Sequence, residues 1–394
     1  MMESIAFSWY TVLSETIPAA GPSGAEKKTG IVQVFQRIRA VNRGIKWGRM
    51  EEKRMRKMIL GYVTEKAQVT REDAGKLTHI CAAFGKLRMD GSILWNHPIL
   101  DHLSEIRAWN PEIRILLSLV NNTGENNAFT TVCADPRLRQ IFAESCAEAV
   151  AKHGYDGVDL DWEYPCVPSN FQDASPMDRD NFTETLRAIR SALDALPGKK
   201  PLLSIAAGAD VYYAASVDLP AVSEVLDFIN LMTYDLKCGF HALSGHHTPL
   251  YSSTGDVFRN SCDQALRLFT ANGVPKEKLL MGCAFYSRKW ENVPNRNHGF
   301  LQLTKCGGGY GPCWEELEKH YINQNGFVYY WDDEAKAPFL FDGSTFLSFD
   351  DPRSLQEKCA YVNREGYAGI FYWDHRSDPT GKLLDTLYRG IREE

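Results

Sequence analysis

The chain has 394 residues, of which 44% are hydrophobic and 24% charged, and its formal net charge is −6. This composition is ordinary for a globular protein, and the negative balance argues against a nucleic-acid partner. No apolar run approaches the roughly 20 residues that span a bilayer, so we expect no membrane partner either.

The first 56 residues differ in composition from the rest of the chain. They contain the stretch "PAAGPSGAEKKTG" and then a basic segment, and neither predicts a core element. We interpret residues 1–56 as a disordered or over-extended leader, and residues 57–394 as the folded domain. The start lacks the basic region and unbroken apolar core of a signal peptide. We therefore expect a cytoplasmic protein, with secretion by a non-classical route as the alternative.

Short apolar runs recur from residue 58 onward, separated by longer amphipathic stretches. Buried runs that alternate with helical patterns indicate βα units and parallel strands. Eight such units predict a (β/α)8 TIM barrel, an α/β fold, although a large doubly wound sheet has the same signature. The eight runs lie at residues 58–63, 78–85, 114–120, 157–162, 202–208, 225–234, 278–286 and 367–373.

The seventh and eighth runs are too far apart for a single connecting helix. Residues 290–350 between them carry strand-like aromatic stretches and one short helical pattern. We therefore predict a small α+β insertion between strand 7 and strand 8 of the barrel.

The fourth run belongs to an unusually acidic segment, "GYDGVDLDWEYP", at Gly154–Pro165. Side chains alternate along a strand, so Asp159, Asp161 and Glu163 share one face and the apolar residues between them share the other. The apolar face suits packing under the helices. The three acids then form a column along the barrel axis, with Glu163 at the C-terminal mouth, where barrel enzymes keep their active sites.

Such a column cannot be fully ionised. Two carboxylates ~4 Å apart repel by roughly 4 kcal/mol at an effective dielectric constant near 20. The acids are expected to share protons, and a raised pKa suits Glu163 to general acid catalysis near neutral pH. A hard cation needs oxygen ligands around one point, which a column along a strand does not provide. We therefore predict no metal and no cofactor.

The pattern Asp156-x-x-Asp159-x-Asp161-x-Glu163 resembles the signature of glycoside hydrolase family 18, the chitinases. Further segments resemble the family in the same order: "LGYVTE", "HICAAFG", "LDFINLMTYDLKCGFHALSGHHTPLY", "KLLMGCAFYSRKW" and "GYAGIFYWDHRSD". The resemblance covers about residues 57–390. The predicted insertion resembles the extra α+β domain of the deep-cleft subfamily.

The resemblance implies substrate-assisted, retaining cleavage of β-1,4-linked N-acetylglucosamine. In that mechanism Glu163 protonates the glycosidic oxygen, Asp161 stabilises charge on the substrate acetamido nitrogen, Asp159 controls Asp161, and Tyr234 orients the acetamido oxygen. Core packing is an equal alternative for Met232, one of the residues that the resemblance places on the substrate. These residues are Tyr62, Phe84, Tyr164, Met232, Asp235, Tyr286, Arg288 and Trp373.

One departure from the family concerns the third strand, which usually ends in S-x-G-G. Here Ser118 is retained, but Val120 and Asn121 replace the glycines. We expect the two larger side chains to narrow or reshape one wall of the cleft. This keeps an endo-β-N-acetylglucosaminidase or a peptidoglycan-related hydrolase as alternatives to a chitinase with chitin or chito-oligosaccharides as its substrate.

Two further hypotheses are less favoured. A non-catalytic chitin-binding lectin of this fold typically lacks the final acid of the motif, and Glu163 is present. His246 and His247 are adjacent residues in a loop, where hydrogen bonding is a better explanation than a metal site.

The leader gives the first testable prediction. Because residues 1–49 show no core pattern, deleting them should leave the fold and the activity intact. Circular dichroism and an activity assay on the truncated protein check this, and an insoluble or inactive product would show that the leader packs on the barrel.

Overall fold

The computed structural model describes residues 57–168 and 172–392. The predicted leader lies outside the described residues. None of the helices in the described ranges is long and apolar enough to cross a membrane.

The described ranges contain fourteen strands. In chain order they are β1 (Met58–Thr64), β2 (His79–Leu87), β3 (Ile93–Leu94), β4 (Arg114–Asn121), β5 (Gly157–Leu160), β6 (Leu202–Gly208), β7 (Phe228–Met232), β8 (Leu279–Ala284), β9 (Tyr286–Trp290), β10 (Gly309–Cys313), β11 (Val328–Asp332), β12 (Ala337–Phe341), β13 (Phe346–Ser348) and β14 (Gly369–Trp373).

Helices follow most of the barrel strands, and short turns complete the connections. The helices are α1 (Arg71–Lys76), α2 (Leu103–Trp109), α3 (Ala128–Ala134), α4 (Pro136–His153), α5 (Asp178–Asp194), α6 (Val211–Ser216), α7 (Leu219–Val225), α8 (Cys262–Ala271), α9 (Trp314–Glu316), α10 (Pro352–Glu365) and α11 (Lys382–Arg392). Short 3-10 turns lie at Pro98–His102, Lys276–Lys278, Asn297–Gly299 and His375–Ser377, and a π-helical turn at Leu317–Tyr321.

Eight parallel strands close into a barrel in the order β1, β2, β4, β5, β6, β7, β8 and β14. The pairing of β1 with both β2 and β14 completes the ring, so the doubly wound alternative is excluded. All eight predicted runs form barrel strands, and the predicted (β/α)8 fold is confirmed. The short strand β3 is an addition that pairs antiparallel with the end of β2.

Local sequence signals determine where helix α4 begins and ends, and therefore where the acidic strand β5 begins. Helix α4 begins after Asp135, whose side chain accepts hydrogen bonds from the first-turn amides, and it ends at Gly154. Gly154 adopts the left-handed conformation, with φ of 81°, that commonly ends a helix and favours glycine. Strand β5 begins almost at once, and its Val158 and Leu160 are fully buried under the helices. The apolar side chains of β5 therefore face the helices, which confirms the alternation of apolar and acidic side chains expected from the sequence.

The outer face of the acidic segment also carries a large aromatic anchor. Trp162 stacks on Phe129 of α3 at 5.3 Å between ring centroids and meets Phe182 of α5 edge-on at 5.4 Å. Aromatic pairs of this kind add to the free energy of area burial. Two helices thereby hold the segment that leads from Asp161 to Glu163.

A second sheet lies between β8 and α10. Its five antiparallel strands follow the order β10, β9, β13, β12, β11, and its aromatic core includes Trp290, Phe339 and Phe346. The sheet begins at Tyr286, ahead of the predicted start at residue 290. Membership of the deep-cleft subfamily stays a prediction.

A buried ion pair ties the chain that leaves this second sheet to the barrel. The Lys358 ammonium of α10 lies 2.6 Å from the Asp350 carboxylate, and both side chains are fully buried. Asp350 also accepts a hydrogen bond from the backbone amide of Ala284, at the end of β8, and Lys358 donates to the Thr248 hydroxyl. The pair therefore joins the chain entering the insertion to the chain leaving it.

Breaking this pair should destabilise the fold. Lys358→Met leaves the Asp350 carboxylate buried without its cation, which costs about 3–5 kcal/mol of unfolding free energy. Chemical denaturation measures the loss. Lys152→Met, which removes an exposed ion pair with Glu148, is the matched control and should cost less than about 1 kcal/mol. Equal losses in the two variants would contradict the role given to Lys358.

Candidate active site

The lowest acid of the column, Asp159, is held by four neutral donors. The hydroxyls of Tyr62, Ser118 and Ser204 donate to its carboxylate at 2.9, 2.7 and 2.7 Å, and the Asn230 amide donates at 3.2 Å. The donors come from β1, β4, β6 and β7, so the network crosses the barrel interior. Burial raises the pKa of Asp159, and the four hydrogen bonds oppose that rise.

The next two acids carry the raised pKa values expected of a general acid and its partner. Burial, then the charges of Glu163 and Asp159, raise the pKa of Asp161 well above its usual range. Burial also raises the pKa of Glu163, a hydrogen bond from Tyr164 lowers it, and the charge of Asp235 raises it again. Asp161 Oδ1 is buried without a hydrogen-bond partner among the described residues. An unfilled acceptor, Asp161 Oδ1, therefore lies beside an acid of raised pKa, Glu163.

The first acid of the motif does not belong to this site. Asp156 pairs with Arg107 at 3.0 Å and with Arg114 at 3.3 Å, and its carboxylate accepts the Ile115 amide at 2.9 Å. It precedes β5, at the opposite end of the strand from Glu163. Asp156 therefore anchors the closed end of the barrel.

Across the cleft, Asp235 has a different electrostatic environment. Its carboxylate accepts from the Tyr286 hydroxyl at 2.7 Å and from Arg288 Nε at 2.6 Å, and it pairs with a second Arg288 nitrogen. His247 Nδ1 lies 3.5 Å away. Burial alone would raise the pKa of Asp235, but His247 and Arg288 together hold it below its usual range. Asp235 is therefore an ionised carboxylate that is already paired.

The Arg288 guanidinium is held from its other side by an aromatic ring. Its central carbon lies 3.8 Å from the centroid of Tyr310, in strand β10 of the second sheet. Tyr310 is 70% exposed, so one ring face remains open at the rim of the cleft. The second sheet thus contributes directly to the wall opposite the acidic column.

Aromatic rings form the floor of the site. Trp373 stacks on Phe84 at 5.6 Å and lies tilted against Tyr62 at 5.8 Å. Tyr234 meets Phe371 at 5.9 Å. Burial, then the charges of Asp161 and the neighbouring acids, raise the pKa of the Tyr234 hydroxyl well above its usual range. Tyr234 is therefore a neutral hydrogen-bond donor.

The residues that the sequence predicted for the site come together at the C-terminal mouth of the barrel. Tyr62 lies lowest, with 2% of its surface exposed and its hydroxyl on Asp159, and its contact with substrate stays a prediction. Tyr164 is half-buried and meets Tyr213 edge-on at 5.9 Å. Met232 is half-buried and packs against the inner barrel cluster, and its contact with substrate stays a prediction.

Val120 and Asn121, which replace the family's glycines at the end of β4, have different environments. The Asn121 side chain turns away from the cleft, because its oxygen accepts the Phe129 amide at 2.9 Å and its nitrogen donates to the Asn126 carbonyl at 2.7 Å. Val120 shares the inner strand face with Ser118. Asn121 therefore binds the first turn of α3 and the loop before it, and the effect of Val120 on the cleft wall stays a prediction.

The two adjacent histidines hold loops together. His246 Nε2 lies 3.1 Å from the Asp332 carboxylate of β11, and His247 contacts Asp235. Within the described ranges, no group of three His, Cys, Asp or Glu side chains could hold a metal ion. All ten cysteines are free thiols.

Sequence reasoning missed several contributors. Ser204 and Asn230 are single polar residues inside the apolar runs "LLSIAAG" and "FINLM", and that interruption was a usable signal. Tyr310 gave no comparable signal, because only the folding of the second sheet brings it to Arg288.

The Asp159 network gives a prediction for the pH dependence. Tyr62→Phe removes a donor that stabilises ionised Asp159, so the acids lose protons at higher pH and the acid limb of kcat/KM moves up by about one pH unit. The profile is measured on a fluorogenic N-acetylglucosamine oligosaccharide, the substrate that the resemblance implies. Tyr372→Phe, which removes a hydroxyl bound to His375 outside the barrel, is the control. A lower rate with an unmoved profile would reduce Tyr62 to a packing role.

Comparison with solved structures identifies proteins with the same fold. A structure described as a novel glycoside hydrolase family 18 N-acetylglucosaminidase from Paenibacillus barengoltzii is 47% identical, with a TM-score of 0.81. The match covers 85% of this chain and 99% of that one. Chitinase ChiW from Paenibacillus sp. str. FPU-7 is 35% identical, with a TM-score of 0.77, over 86% of this chain and 43% of that chain.

Sequence comparisons agree. Chitinase A1 of Niallia circulans is 36% identical over 74% of this chain and 45% of that relative. A probable endochitinase of Caenorhabditis elegans is 29% identical over 76% of this chain and 51% of that relative. The chain therefore spans about half the length of these curated relatives. The sequence profile described as glycosyl hydrolases family 18 matches residues 58–378. The chain belongs to glycosyl hydrolase family 18.

Proposed function

We propose that this protein hydrolyses β-1,4-linked N-acetylglucosamine in chitin or chito-oligosaccharides, by retaining catalysis that uses the substrate acetamido group. The observation that carries the proposal is the pairing of a half-buried acid of raised pKa, Glu163, with the unfilled acceptor Asp161 Oδ1. The first suits protonation of a leaving oxygen, and the second suits an acetamido N–H.

The reaction has two steps. Glu163 gives its proton to the glycosidic oxygen while that oxygen leaves C1, and the acetamido oxygen of the same sugar forms the new bond to C1. Asp161 stabilises the positive charge that develops on the acetamido nitrogen. Glu163, now ionised, takes a proton from water as the water attacks C1. The acetamido oxygen leaves, and the product keeps the β configuration.

The alternative mechanism uses a protein carboxylate as the nucleophile. Across the cleft from Glu163, the carboxylate in place is Asp235, and both of its oxygens are engaged by Arg288. An ionised group that is already bound to a guanidinium is a poor nucleophile. The charge state of Asp235 therefore supports the substrate-assisted mechanism.

The names of similar proteins support this substrate. Relatives are described as a chitinase and a probable endochitinase, and the structure with 47% identity is described as an N-acetylglucosaminidase. The description as an N-acetylglucosaminidase favours a second candidate function, which is the release of single N-acetylglucosamine units from chain ends. Initial products from chitohexaose distinguish the two: an exo-acting enzyme releases monomers from the start, and an endo-acting enzyme releases longer fragments first.

The test combines variants and substrates. Glu163→Gln is isosteric and removes the proton donor, so kcat should fall by at least about 10³-fold, equal to about 4 kcal/mol of transition-state stabilisation. Asp161→Asn should cost a loss of similar order. Fully de-acetylated chito-oligosaccharides should bind without being cut, and NMR should show a β-anomer as the first product.

Glu184→Gln, on the outer surface of α5, is the matched control and should keep parental activity. Efficient cleavage of the de-acetylated substrate, or an α-anomeric first product, would refute the substrate-assisted mechanism. Binding of chito-oligosaccharides without any turnover by the parent protein would support the lectin alternative instead.

A further inference from the structure

A lysine lies on the inner face of the barrel mouth, in the same row as a catalytic acid. Lys86 of β2 pairs in register with Val120 of β4. Leu119 of β4 pairs with Leu160 of β5, and the Leu119 carbonyl accepts the Asp161 amide. One step further along the strands, Val120 stands beside Asp161. Lys86, Val120 and Asp161 therefore form one lateral row across three neighbouring strands.

The direction of the Lys86 side chain follows from its neighbours. Leu87, the next residue, is fully buried in the outer core, and a Cβ on Gly85 would meet Leu117 and Leu119 of that same core. Because successive side chains alternate, Lys86 projects to the inner face. Its ammonium lies over the ring of Phe84, at 5.5 Å from the centroid, and Phe84 stacks on Trp373 in the floor.

The charge of Lys86 has no counter-ion within the described part of the protein. The nearby acids Asp90 and Glu125 instead lie 3.9 Å from the exposed Arg88. Deeper in the cleft, Asp235 is already paired with Arg288. Lys86 therefore contributes a positive charge to this side of the cleft that no carboxylate of the described residues pairs.

The row of Lys86, Val120 and Asp161 lies close enough to the reacting sugar for Lys86 to contact the substrate. Neighbouring strands lie about 4.8 Å apart, so the backbones of Lys86 and Asp161 are separated by about 10 Å. That distance is on the scale of two linked sugar rings. The ammonium thus reaches either the reacting sugar or the sugar next to it.

We propose that Lys86 makes the subsite beside β2 and β4 select N-acetylglucosamine and reject glucosamine, because the protonated amine of glucosamine is repelled by the lysine ammonium. This inference rests on the proposed function and adds a substrate preference to it. A neutral acetamido group has no such penalty and can accept a hydrogen bond from the ammonium through its carbonyl oxygen. The enzyme therefore prefers fully acetylated segments beyond the requirement that its nucleophile imposes on the reacting sugar.

The experiment uses chitotetraose isomers in which one defined unit is glucosamine and the reacting sugar stays acetylated. The measured quantity is the ratio of kcat/KM for the fully acetylated tetramer to kcat/KM for each isomer, with cleavage positions read by mass spectrometry. The parent should reject glucosamine at one subsite next to the reacting sugar. Lys86→Gln should lower that ratio by about tenfold, which corresponds to ~1.4 kcal/mol. Re-acetylation of the isomer should restore cleavage by the parent.

Three comparisons separate charge from packing. Lys86→Arg keeps the charge and should keep the rejection. Lys152→Gln makes the same charge change on the outer helix α4 and should leave the ratio at its parental value. Added salt should weaken the rejection in the parent because it screens the repulsion.

An unchanged ratio in Lys86→Gln, or loss of rejection in Lys86→Arg as well, would overturn the proposal. Failure of the parent to cut the fully acetylated tetramer would instead refute the proposed function, so the two failures are distinguishable.

Discussion

The hydrogen bonds to Asp159 make it possible for one barrel to hold three neighbouring acids, Asp159, Asp161 and Glu163. A carboxylate removed from water is strongly destabilised unless donors replace its hydration. Tyr62, Ser118, Ser204 and Asn230 supply those donors from four strands, so the barrel must be closed for the site to exist. Burial and then the charges of the neighbouring acids raise the pKa of Asp161, while burial and the charge of Asp235 raise that of Glu163. A raised pKa is the property that acid catalysis uses.

The cleft is divided electrostatically into two walls. On one wall, burial raises the pKa values of Asp159, Asp161 and Glu163. On the other, the second sheet and its neighbouring loop place Tyr286, Arg288 and His247 around Asp235 and keep it ionised. The same residue type therefore serves as a proton-sharing acid on one side and as a fixed anion on the other. On the side of the cleft formed by β2 and β4, Lys86 contributes a positive charge.

Much of this arrangement could be predicted from the sequence, because strand alternation is a local property. The spacing of Asp159, Asp161 and Glu163 placed them on one face, and the apolar residues between them indicated the other. Alternation also places Val120 and Asn121 on opposite strand faces, and the hydrogen bonds of Asn121 to Phe129 and Asn126 agree with that placement. Asp156 shows that a match to a motif does not by itself place a residue in the site. It matches the signature, yet its ion pairs with Arg107 and Arg114 give it a structural role.

The sequence by itself determined the eight strands and the acidic column, since each depends on periodicity or spacing within a short segment. It also predicted an insertion after strand 7 and a role for Glu163 as general acid. Only the tertiary structure decided which distant groups meet: the donors to Asp159, the stacking of Tyr310 on Arg288, and the row that joins Lys86 to Asp161. Those contacts depend on barrel closure, strand register and a bulge between Ala83 and Gly85 in β2. Register and closure are set by packing across the whole domain, and no local pattern of residues records them.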